Sequence, residues 1–282
     1  MPLNIQTNVA SLEANRNVSR NQAALLGSFQ KLSSGYRVNS AADDAAGLAI
    51  SESMKSQIRS YTVAERNAAD GISMAQTAEG ALGEIHDVLG RMREIAMQAA
   101  NGSLGSSDRD YLDQEFSSLQ GEIQRIQSSS KFNGNDLISS TSSAPITFQV
   151  GLNSSSDDQV SIDFNGLDLG TVTGTTTTVS GTSASNALAS LAIIDGAIAT
   201  VSGKRASYGA AINKLNVASN NIQTMRLNIS AANSRIRDVD VATETSNMAR
   251  NQVLTQAGVS VLAQANKLPQ LAFGLIGGEI GR

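Results

Sequence analysis

Between Ile50 and Ala99, alternating steps of four and three residues visit Ile50, Met54, Gln57, Tyr61, Ala64, Ala68, Gly71, Ala75, Ala78, Leu82, Ile85, Leu89, Met92, Ala96 and Ala99. Only Gln57 interrupts this apolar row. A strand repeats every two residues, so a period of 3.5 held over this length demands a long helix with a continuous seam. A flanking row of Met74, Ala81, Val88 and Ile95 widens the apolar face and predicts at least two partner helices.

The same pattern returns later in the chain. Ile194, Val201, Tyr208, Leu215, Ile222, Ile229 and Ile236 recur at seven-residue steps, beside Ala197, Ala211, Ala218, Met225 and Ala232, with Lys204 the polar member of that second row. A helix from about residue 186 to 236 would be roughly 75 Å long. Between the two long helices, Asn101-Gly102 reads as a stop and Ser107 with Asp110 as a new start. The seam then runs Leu112, Phe116, Leu119, Ile123 and Ile126, ending near Asn133-Gly134, as a helix antiparallel to the first.

Residues 139–185 change character, becoming rich in Ser, Thr, Gly and Asn. Within them, Ile146, Phe148 and Val150, then Val160, Ile162 and Phe164, alternate on either side of a polar loop. This predicts a β-hairpin over about 144–166 with one apolar face. The fold class is therefore mainly α: heptad-patterned helices in an elongated antiparallel bundle, with a small hairpin.

The two chain ends carry weaker stripes. Ile5, Val9 and Leu12, then Val18, Leu25, Phe29 and Leu32, mark one, and Leu254, Val261, Leu268 and Leu275 mark the other. Isolated amphipathic helices are marginal in water, so these ends are expected to order against each other or against neighbouring molecules.

Composition narrows the function. Aromatic residues make up 4% of the chain and charged residues 16%, against about 25% charged in ordinary domains. Helix packing suits this mixture better than an aromatic-lined ligand pocket does. A net charge of −4 supplies no counterion-release drive toward nucleic acid or anionic lipid. No run approaches the 18 apolar residues of a membrane span, and Met1 to Val18 lack the pattern of a cleaved secretory signal.

Catalytic chemistry finds little support. With no Cys and one His, neither thiol, zinc nor Ser-His-Asp chemistry has its parts. The lone His86 sits among Ile85, Val88 and Leu89 and reads as structural. Gly203-Lys204 falls inside a heptad helix, with Arg205 where a phosphate loop needs Ser or Thr, and the glycines of 274–281 follow no strand. Asp43-Asp44 reads as helix caps. No catalytic, cofactor or metal site is expected.

Particular words in the sequence carry a resemblance. Thr7-Asn8-Val9-Ala10-Ser11-Leu12 and the run from Lys31-Leu32-Ser33-Ser34-Gly35 through Asn39-Ser40-Ala41-Ala42-Asp43-Asp44 to Ile50 stand near the start. Later come Asp70-Gly71-Ile72-Ser73, Phe132-Asn133-Gly134, Ser234-Arg235-Ile236-Arg237-Asp238, and Gln256-Ala257-Gly258-Val259-Ser260-Val261-Leu262. The chain closely resembles bacterial flagellins, in a short form without large outer domains. Tyr36 stands where the family pattern leads one to expect an aliphatic residue.

The resemblance implies a non-enzymatic subunit that polymerises into the extracellular flagellar filament, exported through the flagellar export apparatus without cleavage of a signal peptide. It implies that residues 1–42 and 240–282 pair as a coiled coil in an inner tube, while 43–185 and 186–239 form a rod domain. Ile5, Val9, Leu12, Leu25, Phe29, Leu32, Leu254, Val261, Leu268 and Leu275 are then the polymerisation residues. Implied partners are other copies of the chain, an export chaperone, the filament cap, hook-filament junction proteins and the flagellin-sensing Toll-like receptor. Receptor recognition carries over onto Arg91, Ile95 and Glu115. A hook-filament junction protein is the alternative within this structural class, and a secreted coiled-coil effector the alternative outside it.

Overall fold

The computed structural model describes residues 7–138, 144–164, 167–174 and 176–277, with side chains described as far as Lys267. The chain divides into two compact units. Unit 1 comprises Met1–Ser56 with Asn228–Arg282, and unit 2 comprises Gln57–Leu227. These divisions fall inside two long helices and not at their ends, where the sequence places its boundaries.

Unit 2 is built on α2 (Ala45–Ala99), α3 (Ser106–Ser129) and α5 (Ser185–Arg237), the first and last of which continue into unit 1. Its core follows the heptad row. Leu82, Ile85, Leu89, Met92, Ala96 and Ala99 of α2 are buried, as are Phe116 and Ile123 of α3 and Ile194, Val201, Tyr208, Leu215 and Ile222 of α5. Glu65–Arg226, Glu79–Arg205 and Arg93–Asp195 tie α2 to α5 in antiparallel order along their edges. Ion pairs within reach of solvent set register more than they add stability.

Among the described residues, α5 is long and apolar enough to cross a membrane by composition, with a mean hydropathy of 1.3 over an 18-residue window. The expectation that no uninterrupted run reaches 18 apolar residues stands, since Ser190, Asp195 and Thr200 break the α5 row. The apolar row of α5 instead packs in the unit 2 core.

The hairpin forms as expected. β3 (Ile146–Gln149) pairs antiparallel with β4 (Gln159–Ile162) in the register Ile146↔Ile162 and Phe148↔Val160, which places four apolar side chains on one face. The loop closes where Val150 and Gly151 N–H both donate to the Asp158 carbonyl. Phe148 sits over Gly71, where a Cβ would come within 3.1 Å of the ring and 2.9 Å of Leu215 Cδ1. Absence of a side chain at that α2 position is what lets the hairpin and α5 approach together.

Three local expectations need correction. The start of α3 lies earlier than Ser107: the Asp108 carboxylate accepts from Gly105 N at 3.0 Å, closing the first turn. Asn133-Gly134 does not end a helix. It forms the two-residue turn between β1 (Lys131–Phe132) and β2 (Asn135–Asp136), with both residues at positive φ, 48° and 83°. Met225, placed in a core row by periodicity, is 45% exposed, because the row leaves the core there.

Two polar residues missed in the sequence hold unit 2 together. Arg109 is buried, donating from Nε to the Ala99 carbonyl at 2.9 Å and from Nη2 to the Asn101 carbonyl at 3.0 Å. A cation thereby satisfies the carbonyl end of α2 and its dipole. Gln120, also buried, donates to the carbonyls of Val172 and Thr177, pinning the segment around the short α4 (Gly170–Thr173) against α3.

Candidate assembly surface

Unit 1 pairs α1 (Val9–Ser34) with α6 (Val241–Gly277). Asn8 begins α1 by accepting Ser11 N–H, and Asp240 begins α6 by accepting from Ala242 and Thr243 N–H. The helices run antiparallel: Asn8 Nδ2 donates to the Ala265 carbonyl at 2.9 Å, while Val18 lies against Gly258.

The seam between them differs from the one a hydrophobicity stripe suggests. In α1 the less exposed positions include Ser11, Ala14, Val18, Asn21, Leu25, Ser28 and Leu32, again at steps of three and four. In α6 they include Glu244, Met248, Asn251, Thr255, Gly258, Leu262 and Ala265. Most are small or polar. A Cβ on Gly258 would lie 2.8 Å from Val18 Cγ2, so this glycine lets the backbones close on the valine.

Many of the larger apolar side chains point elsewhere. Val9, Leu12 and Phe29 are 60%, 61% and 65% exposed, and Leu254 and Val261 are also exposed. The stripe read along the amino-terminal segment is therefore two faces: Leu25 and Leu32 join the seam, and Val9, Leu12 and Phe29 leave it. Ile5 lies outside the described residues, as do the side chains of Leu268 and Leu275. Leu26, Val241, Val253 and Val259 are further exposed apolar residues that the stripe did not include.

The connections between these helices and the rest of unit 1 are tightly bonded. Gly35, at φ 73°, ends α1 in the left-handed region. Arg37 N donates to the Arg237 carbonyl, Val239 N donates to the Gly35 carbonyl, and Tyr36 and Asp238 pair as an antiparallel bridge. Asp44 caps α2 through Gly47 N–H at 2.8 Å, as expected for one of the paired acids. Asp43 caps the turn before it: Ser40 N–H and hydroxyl, with Asn39 N–H, hold its carboxyl below the usual carboxylate range. The Thr243 hydroxyl and N–H, with Ala242 N–H, do the same to Asp240.

The residues singled out in unit 2 separate by exposure. Arg91 on α2 lies on the surface, bonded to Glu115 on α3 at 2.8 Å and to Glu94 at 2.9 Å, and both carboxylates raise its pKa. Ile95 is 1% exposed and packs in the core, so the expected receptor-recognition residue presents no surface to a receptor. His86 is half-buried, with Nδ1 lacking a hydrogen-bond partner. Lys204 binds Asp163 at 3.1 Å from within α5. Burial, with Asp163 nearby, pushes the Tyr208 phenol up to about 12.

Comparison with known proteins places this arrangement. The model of the bacterial flagellin N-terminal helical region matches residues 5–143, and that of the flagellin C-terminal helical region matches 191–276. A flagellin of Halalkalibacterium halodurans is 40% identical, covering 96% of this chain and 99% of its own length. The chain belongs to the bacterial flagellins. A Bacillus subtilis flagellin is 38% identical, across 97% of this chain and all of its own. A Vibrio parahaemolyticus structure assigned to a flagellar hook-associated protein covers 70% of this chain with a TM-score of 0.58 and 17% identity, a likeness of fold alone. This flagellin is thus a structural subunit of the flagellar filament, and the junction-protein and effector alternatives are not favoured.

Proposed function

We propose that the outward apolar residues of the α1–α6 pair, Val9, Leu12, Phe29, Leu254 and Val261, form the polymerisation surface, continued by Ile5, Leu268 and Leu275. One observation carries the reading: large apolar side chains face outward from a helix pair whose own seam is largely Ser, Ala, Asn, Thr and Gly. Covering these side chains with another molecule removes apolar surface from water and is favourable. Leu25 and Leu32 act one step back, holding α1 on α6. On this reading residues 1–42 and 240–282 line the inner tube and 43–239 surround it. The subunit has no enzymatic role, and it leaves the cell through the flagellar export apparatus without a cleaved signal peptide. The export chaperone, filament cap and hook-filament junction proteins belong to the same proposal. So does Toll-like receptor recognition, now resting on the exposed Arg91–Glu115 pair.

The test is electron microscopy of purified chain added to sheared filament seeds. Wild type should elongate them. Leu254→Asp with Val261→Asp should not, since each added subunit would bury unpaired charge at a cost of several kcal/mol. Both residues are exposed in the subunit, so its unfolding curve should stay unchanged. Normal filaments from the double variant would refute the surface assignment.

A further inference from the structure

The α1–α6 seam is pinned towards the start of α1, where Asn8 Nδ2 donates to the Ala265 carbonyl, Ser11 Oγ donates to Asn266 Oδ1 at 2.6 Å, and Val18 lies against Gly258. Towards Gly35 the seam continues through Asn21, Leu25, Ser28 and Leu32. That end of the pair is held from outside the seam.

The bonded connection there is built for this. Arg237, at the end of α5, has its guanidinium carbon 4.5 Å from the centre of the Tyr36 ring, and its Nη1 contacts Glu52 on α2 at 2.5 Å. The Arg237 side chain is 14% exposed, so screening is weak and the aromatic face and carboxylate act on a partly desolvated cation. Its Nε is buried without a hydrogen-bond partner, which leaves the ring to offset its desolvation. The same Arg237 offers its carbonyl to Arg37 N at 2.6 Å, and Arg37 Nη2 returns a bond to the Ile236 carbonyl at 2.6 Å. Fixing the Arg237 side chain therefore fixes the backbone to which the residues after α1 are bonded.

We propose that Tyr36 is a positioning residue for assembly: with Glu52 it clamps Arg237, and the clamp locks residues 35–38 onto 236–239. The clamp holds that end of α1 on α6, and with it the placement of Phe29 for a second copy of the chain. An aliphatic residue at position 36 could pack there but could not face a cation. The Tyr36 hydroxyl makes no contact that the clamp needs, so the ring alone carries the effect. This inference rests on the polymerisation reading.

The test compares Tyr36→Leu with Tyr36→Phe in the full chain, by amide hydrogen exchange of the monomer and by seeded elongation. Tyr36→Leu should speed exchange at the Arg37 and Val239 amides about two- to fivefold, the equivalent of a cation–π contact at a partly exposed ring, and raise the critical concentration by a similar factor. Tyr36→Phe should match wild type in both. Unchanged exchange in the Leu variant, or equal impairment in the Phe variant, would overturn the clamp. Faster exchange with unaltered elongation would overturn its positioning role. The Leu254→Asp, Val261→Asp chain separates the two ideas: it should keep wild-type exchange at Arg37 and Val239 while failing to elongate. If that chain elongates, the surface assignment fails, whatever Tyr36→Leu does to exchange.

Discussion

If Phe29 belongs to the proposed polymerisation surface, Phe29→Ala isolates the apolar part of subunit addition. Phe29 is 65% exposed in the single chain, so roughly two-thirds of its side chain remains to be covered. Full burial of such a side chain is worth about 1.5–3 kcal/mol, which makes the remaining contribution about 1–2 kcal/mol per subunit added. At about 1.4 kcal/mol per tenfold change, the critical concentration for elongation should rise about five- to thirtyfold. It is read by sedimenting polymer at steady state over a range of total protein. Apolar burial is not screened by ions, so the ratio of variant to wild type should persist as salt is raised. Thermal unfolding of the unassembled chain should be unchanged, because the deleted atoms face solvent. An unaltered critical concentration would refute the reasoning, and so would a ratio that collapses in salt.

Other sites make separate predictions. Gly258→Ala places a Cβ against Val18; overpacking of about 1–3 kcal/mol outweighs the roughly 1 kcal/mol gained in helix propensity. Faster hydrogen exchange in α1 and α6 should result, and adding Val18→Ala should largely reverse it. Arg109→Ala strands the Ala99 and Asn101 carbonyls at the buried end of α2, costing about 2 kcal/mol or more. For a unit of this size the melting temperature should fall by about 4–8 °C, and Arg109→Lys should not restore it. Asp43 and Asp240 have folded-state pKa values below the ordinary one, so their contribution is complete above ordinary carboxylate values and is lost as pH falls through the lowered ones, below about 4. Asn at both positions should move the acid transition of α1 and α6, followed by circular dichroism, less steeply with pH.

Much of unit 2 was legible because its rows obey one rule throughout. Every position from Ala64 to Ala99 on the α2 seam is buried, as is the α5 row from Ile194 to Ile222. Heptad spacing makes the inward face the apolar face, and the hairpin's alternation does the same with period two. What escaped was polar. Nothing in the sequence around Arg109 distinguishes it from a solvated charge, since its partners are backbone carbonyls at the end of α2 that every helix possesses. Asn133-Gly134 carried the strongest short hairpin signal but lay just after a helix, where the same dipeptide also serves as a stop.

The candidate surface was legible as residues but not as faces. Val9, Leu12 and Phe29 share their apolar character with Leu25 and Leu32, and hydrophobicity alone cannot say which set turns toward α6. The available signal was the opposite one: the regular spacing of Ser11, Ala14, Val18, Asn21 and Ser28, with Gly258 facing Val18, marks close backbone approach by smallness. A seam of that kind buries less apolar area than a row of leucines would, so the pair gains little from its own closure. On the proposed surface assignment, the apolar area that could order it faces outward and is gained only when a neighbouring copy arrives. Ordering of α1 and α6 and addition of a subunit therefore draw on the same free energy. A variant that made the seam more apolar, such as Asn21→Leu with Asn251→Leu, should stabilise the unassembled pair without lowering the critical concentration to match. Hydrogen exchange of α1 and α6 in the monomer, set beside the critical concentration of the same chain, checks this. If the two moved together by equal free energies, the seam and the outward face would be one surface, and the division of α1 into two faces would fail.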